Sequence, residues 1–284
     1  MKHFANISLV IACFNMNREI HKTLYSLSKS YQNFEGEIEI IVVDTGSDVA
    51  PRLEELSYLG ENISVINFPS KYPSPVDALN HAIFRAKNNL IGVFIDGARL
   101  ASPGMLNASS QASLLYENGI FTTRNYQLGP DLQYKSLDSG YTKKIEDELL
   151  ESIDWKVNGY RLFEISTPEQ LSSIGEPLLE SNAIFMGKHL WEKLGGYDPL
   201  FISTGGGAAN PDLLKRACEL PGTTLVRLDG EATFHQVHYG VTTSSVATAF
   251  ANLKQASIEY IKVRGVPLRP IDLKGVIFKH GNDV

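Results

Sequence analysis

Cysteine is nearly absent from this sequence: Cys13 and Cys218 are the only two among 284 residues. Both fall inside predicted regular elements, which makes each a small core residue rather than half of a disulfide or a nucleophile, and fits a reducing compartment. Long hydrophobic runs are also missing. No stretch approaches the roughly 20 apolar residues needed to span a bilayer, and Met1 to Ser8 lacks the apolar centre of a secretion signal, so a cytoplasmic location without a transmembrane segment is expected. Positive charge is not in surplus: 26 Lys and Arg stand against 32 Asp and Glu, a net of -6 with the signs interspersed. A nucleic-acid partner is therefore not expected, because a duplex surface needs a basic stripe. There is no internal repeat or low-complexity tract. A Gly-rich phosphate loop is absent as well. The first apolar strand runs straight into Cys13-Phe14-Asn15-Met16-Asn17-Arg18 with no G-x-G-x-x-G, which counts against a nicotinamide or flavin enzyme and against a nucleotidyltransferase.

What is present is ordinary globular composition, 43% hydrophobic and 20% charged, enough for a sizeable core. Apolar runs at residues 7–13, 38–43 and 63–66, and a fourth at 90–95 that ends in Asp96, read as strands buried on both faces of a parallel sheet. Helix-length segments at 19–30, 51–59 and 76–88 separate them, giving a βαβαβα half-domain. Ligands in such sheets bind beyond the carboxyl ends of the strands. The segments to inspect therefore begin at Phe14, Asp44, Asn67 and Asp96. Further on, 105–116 reads as a helix, 119–123 as a strand, and 125–173 as a polar variable insert with one helix at 143–152. A strand at 181–186, a short helix ended by Gly195-Gly196, and a helix with Asn210 as N-cap and Pro211 in its first turn follow. The strand 223–228 leads to His235 and His238, and 246–263 is a long amphipathic helix.

Phe14 offers a face for stacking a base and Arg18 a cation. Asp44 is either an acceptor for a base or ribose or a turn-capping residue. Five pieces in order resemble the family-2 glycosyltransferases of the GT-A fold: the aromatic-Asn strand end, Val43-Asp44-Thr45-Gly46-Ser47, Ala78-Leu79-Asn80, the apolar strand ending in Asp96, and Leu194-Gly195-Gly196-Tyr197-Asp198. The resemblance covers about residues 5–240. It implies a GT-A-like, Rossmann-related α/β fold with a mostly parallel central sheet flanked by helices, a glycosyltransferase domain over 1–240 with the insert at about 125–173, and a C-terminal helical extension over 241–284. It also implies an inverting transferase that moves a sugar from a nucleoside-diphosphate sugar, in particular a UDP-sugar, to a glycan, lipid-linked or small acceptor, as in polysaccharide biosynthesis. Ala12, Phe14, Arg18 and Asp44 would lie near the base and ribose, and Asp96 near the diphosphate.

The sequence departs from the family pattern twice. Where the family commonly has Asp-x-Asp at a divalent metal, this chain has Asp96-Gly97-Ala98-Arg99. Either Mn²⁺ or Mg²⁺ is held by Asp96 with His235 or His238, or the cation of Arg99 serves the diphosphate. Residues three apart in a strand point to opposite faces, so at most one of the two histidines is expected to ligate unless they lie in a loop. Inversion also needs a base. The family's Glu-Asp pair matches Ala209-Asn210, neither of which is one, leaving Asp212 or Asp198 as candidates, with helix-end complementation as an alternative role for Asp212. These losses keep open a catalytically degraded nucleotide-sugar-binding relative.

Overall fold

A strand with neighbours on both sides and helices on both faces has no side to keep polar, which is why the apolar runs at 7–13, 38–43 and 90–95 can be nearly continuous. The computed structural model describes residues 4–60, 62–241 and 243–280. In it the four apolar runs are β1 (Ile7–Cys13), β2 (Ile38–Asp44), β3 (Ile63–Asn67) and β4 (Leu90–Phe94). β1 pairs in parallel with both β2 and β4, and β2 with β3. The third run, expected to be buried on both faces, is the edge strand and is buried only at Ile63. The crossovers carry α1 (Asn17–Ser26) with α2 (Lys29–Gln32), α3 (Leu53–Leu56) and α4 (Val76–Ile83). The expected helix 19–30 is thus two pieces, the second capped by the Ser28 side chain on the Tyr31 amide.

After Asp96 the chain switches direction. It passes through β5 (Arg99–Ala101), α5 (Met105–Leu115), β6 (Gly119–Leu128), α6 (Gln133–Asp138), α7 (Lys143–Ser152) and β7 (Ser166–Pro168). Next come β8 (Ala183–Gly187), α8 (Lys188–Leu194), α9 (Ala209–Glu219), β9 (Thr224–His235), α10 (Val246–Arg264) and β10 (Val276–Lys279). The sheet order is β10-β9-β6-β8-β4-β1-β2-β3, with β5 on β9 and β7 on β6. β8 runs antiparallel between β4 and β6, whereas β6 and β10 run parallel to β9.

Two apolar clusters cover the two faces of the sheet. Ile7, Leu9, Ile11, Phe94 and Phe185 belong to one, and Val10, Ile41, Val93, Trp191 and Tyr197 to the other. The alternation along β1 explains the split, since consecutive side chains point to opposite faces. Phe94 and Phe185 meet edge to face at 6.4 Å between centroids, and burying each such ring stabilises by about 1.5–3 kcal/mol. A third, smaller cluster, with Leu100, Trp155 and Phe234, lies under the insert.

Three further expectations are corrected here. β6 continues to Leu128 and β7 pairs with it, so the insert begins inside the sheet rather than after it. Helix α9 starts at Ala209 with Ala208 as its cap, which places Asn210 inside the first turn and frees its side chain for other contacts. The C-terminal extension is not purely helical, because β10 adds a parallel strand outside β9.

Candidate active site

At the carboxyl end of β4, Asp96 leaves the sheet in a tight loop. Gly97 permits this, since a Cβ there would lie 2.8 Å from the Ala12 carbonyl oxygen at the end of β1. Asp96 Oδ1 accepts from the Ala98 amide at 2.7 Å, which fixes the carboxylate with Oδ2 turned outward. The chain then enters β5, where Arg99 is the cross-strand partner of His235 on β9. Asp96 Oδ2 accordingly lies 2.9 Å from His235 Nε2, 3.4 Å from His238 Nε2 and 3.6 Å from Arg99 Nη2.

The strand ends at His235, and Gln236-Val237 turns the chain back so that both histidines reach Asp96. The expectation that only one could ligate applied to an extended strand, and the turn removes it. The amide of Val237 donates to the buried Glu146 of α7 and that of Gln236 to the Ala98 carbonyl at 2.8 Å, which pins the turn in place.

The tautomer of His235 follows from its neighbour. Gln133 Nε2 donates to the His235 carbonyl at 2.7 Å, so its Oε1 faces His235 Nδ1 at 2.6 Å and must accept from it. Burial and the nearby Arg99 push this imidazole down to about 4 against the pull of Asp96, so it is neutral with its proton on Nδ1. His235 Nε2 is then a lone pair that faces the Asp96 carboxylate and also His238 Nε2, 3.0 Å away. Three ligand atoms from Asp96, His235 and His238 lie within 4.8 Å of one another. A carboxylate with two imidazoles, one of them oriented by an amide behind it so that its lone pair faces the cluster, is a donor set that suits a divalent metal.

Around this cluster, the structure places the other candidates as follows. Phe14 is 52% exposed at the end of β1. Its loop is tied to the β2 loop because Asn15, in the left-handed region at φ 54°, accepts with its side chain from Asp48 N and donates its amide proton to Ser47 Oγ. Ala12 is buried beside Gly97. Asp44 is buried and caps the turn after β2, accepting from Gly46 N, Ser47 N and Ser47 Oγ. Arg18 is fully engaged, bonding Glu19, Asp147 and the Lys143 carbonyl at 2.7–2.9 Å and joining α1 to α7. Arg99 is buried; the Asn182 amide oxygen, turned toward it, accepts from Nη1 at 2.9 Å.

The two candidate bases are drawn into an ion cluster instead. Arg264 of α10 bonds Asp212 Oδ1 and Asp198 Oδ2, each at 2.6 Å, and Arg216 bonds Asp212 Oδ2 at 2.8 Å. Asp212 is 1% exposed. With both its oxygens on arginines, it is placed to hold α9 and α10 together rather than to take a proton. The same segment explains two family pieces at once. Asn80 of α4 accepts from Tyr197 N and donates to Tyr197 O, both at 2.8 Å, so the Ala-Leu-Asn helix grips the Gly-Gly-Tyr-Asp turn.

Sequence reasoning passed over two residues here. Gln133 lies in the insert, where nothing marked it. Glu180 precedes β8 and bonds Asn210 at 3.1 Å.

Solved structures of similar fold place this architecture. Staphylococcus aureus TarS 1-349 in complex with UDP-GlcNAc superposes with a TM-score of 0.55 at 13% identity, over 90% of this chain and 66% of that one. The corresponding complex with UDP gives 0.53 at 12%, over 90% and 65%. GalNAc-T7 with UDP, GalNAc and Mn²⁺ gives 0.54 at 12%, over 96% and 53%. The chain thus spans less than two thirds of the length of these proteins. No curated protein matches it in sequence. The class is therefore a mixed α/β chain with the GT-A glycosyltransferase fold. Residues 8–106, about a third of the chain, match the family described as glycosyl transferase family 2.

Proposed function

We propose that this chain moves a sugar from a UDP-sugar to a carbohydrate or lipid-linked acceptor with inversion at the anomeric carbon, as in polysaccharide biosynthesis. The convergence of Asp96, His235 and His238 at the end of β4 carries this reading. TarS was solved with UDP-GlcNAc and GalNAc-T7 with UDP, GalNAc and Mn²⁺, which supports the same donor class and a divalent ion here. The three residues would hold Mn²⁺ or Mg²⁺, whose positive charge, when bound, offsets that growing on the departing diphosphate.

The protein's own groups provide the rest. The Phe14 ring presents a face to the base, and the Asp44 turn fixes the loop beside it. Arg99 keeps a guanidinium next to Asp96 and lends a second positive charge to the diphosphate end. Among the described residues no helix is long and apolar enough to cross a membrane.

The test is UDP release from a panel of UDP-sugars with Mn²⁺, with and without chelator, by the wild type and Asp96→Asn. Release that stops with chelator and with the variant is expected, and release unchanged in both would refute the assignment. Tight UDP binding without turnover of any donor would mark a binding-only relative, the reading that Ala98 and Asn210 favour.

A further inference from the structure

Inversion needs a proton acceptor on the acceptor side of the sugar, and the structure commits Asp212 and Asp198 to arginines. Asn210 stands where the family resemblance puts a carboxylate. Its amide does not cap α9; Nδ2 donates to the Ser181 carbonyl at 3.0 Å and to Glu180 Oε2 at 3.1 Å, while Oδ1 accepts from Tyr197 Oη at 3.3 Å. Glu180 is half-buried, and its Oε1 bonds no described residue.

The sheet register places this carboxylate at the donor end. Phe94 pairs with Ala183 across β4 and β8. Asp96 lies two residues beyond Phe94 and Glu180 three residues before Ala183, so both extend past the same edge of two adjacent strands, within about 10 Å of that pair along the chain. Arg99 contacts Asp96 on one side and Asn182, two residues after Glu180, on the other.

We propose that Glu180 is the catalytic base, a carboxylate supplied from the segment before β8 in place of the one missing from α9, with Asn210 as the positioning residue that aims it. The proposal rests on the donor reading above. In the step, the acceptor hydroxyl proton passes to Glu180 Oε1 as the hydroxyl oxygen bonds the anomeric carbon. The bond from that carbon to the β-phosphate oxygen breaks, and its electron pair leaves with UDP. The groups facing Glu180 are Glu169, Arg99, Asn210 and the Tyr197 phenol. Burial and the Glu169 charge raise its pKa above the ordinary value, while Asn210 and Arg99 hold the rise in check. That makes it a stronger base than a solvated carboxylate.

The experiment uses the full chain with Mn²⁺ and a panel of UDP-sugars, water serving as acceptor, and compares wild type, Glu180→Gln and Glu180→Asp. UDP release is followed across pH, and UDP affinity is measured by calorimetry. Glu180→Gln should lose at least about 100-fold in kcat, keep its UDP affinity within about twofold, and lose the acidic limb of the pH profile, whereas Glu180→Asp should retain part of the rate. A Glu180→Gln rate close to that of wild type would overturn the proposal, as would a loss of UDP affinity as large as the loss of rate. A wild type that binds UDP but releases none from any donor overturns the base together with the transfer reading and leaves only nucleotide binding. A wild type that does not bind UDP overturns the donor reading with it.

Discussion

Gln133 shows how much of the site depends on residues that would never touch a substrate. Its side chain spends both ends on His235, one fixing the backbone and the other the ring, and so decides which nitrogen faces Asp96. Removing a hydrogen-bond partner behind a metal-ligating histidine typically costs 10–100-fold in metal affinity. Gln133→Leu should therefore weaken Mn²⁺ binding by about 10–100-fold, measured by calorimetry, and also lower stability, because the buried His235 carbonyl and Nδ1 proton lose their partner. Unchanged Mn²⁺ affinity would mean that His235 is not a ligand. Nothing in the sequence marked Gln133, because a glutamine in a polar insert has no periodicity and no motif partner. Asp96, His235 and His238 were legible individually, since a strand-end carboxylate and late histidines are recognisable types. Their meeting was not, because it depends on a turn at Gln236-Val237 that a strand-period reading cannot see. Glu180 escaped for a related reason. Its role depends on Asn210, 30 residues away in sequence, and only the pairing of β8 with β4 brings that neighbourhood to the site.

Among the elements, β1, β2 and β4 were legible because burial on both faces forces an apolar run, while the edge position of β3 and the details of α9 and the C-terminus were not. Asn210 looked like a cap from its residue type, yet tertiary partners claimed its amide. Helix α10 has a purpose that its sequence did not suggest, joining Asp198 and Asp212 through Arg264. Removing one partner of a largely buried ion pair leaves an uncompensated charge, and Arg264 is itself partly exposed, so a cost of about 2 kcal/mol is expected for Arg264→Ala. Urea unfolding checks this, and Asp212→Asn should keep substantial UDP release at low temperature if that carboxylate is structural.

Helix α7 offers a pH test. Burial raises Glu146 to about 7 against the pull of the Val237 amide, Arg18 and Lys22. A folded-state value above the unfolded one means that the native chain binds this proton more tightly. Its stabilisation is complete below about 4.5 and is lost as pH rises through about 7, an effect on the order of 3 kcal/mol. Glu146→Gln should flatten that part of the stability–pH curve, read by urea midpoints at pH 5 and pH 8. An unchanged slope would show that Arg18 keeps the group ionised throughout.

For the molecule as a whole, the cluster joins parts that the sheet keeps apart. Asp96 follows β4 in the parallel half, whereas His235 ends β9, with β8 and β6 lying between those two strands. His238 hangs on a turn held by α7 of the insert. A cation bound by all three therefore ties β4, β9 and the insert together, and it can do so only in the folded chain. A ligand that binds the native state alone stabilises it by about 2.7 kcal/mol at 100 times its Kd, and for a chain of this size each kcal/mol moves Tm by about 2–4 °C. Mn²⁺ at that excess should thus raise Tm by roughly 5–10 °C, with no such rise for Asp96→Asn or His235→Ala. The absence of a shift in the wild type would remove the metal from the site and leave Arg99 as the cation beside Asp96. A shift that persisted in both variants would put the metal elsewhere in the protein. Differential scanning calorimetry with and without chelator separates these outcomes before any donor or acceptor is known.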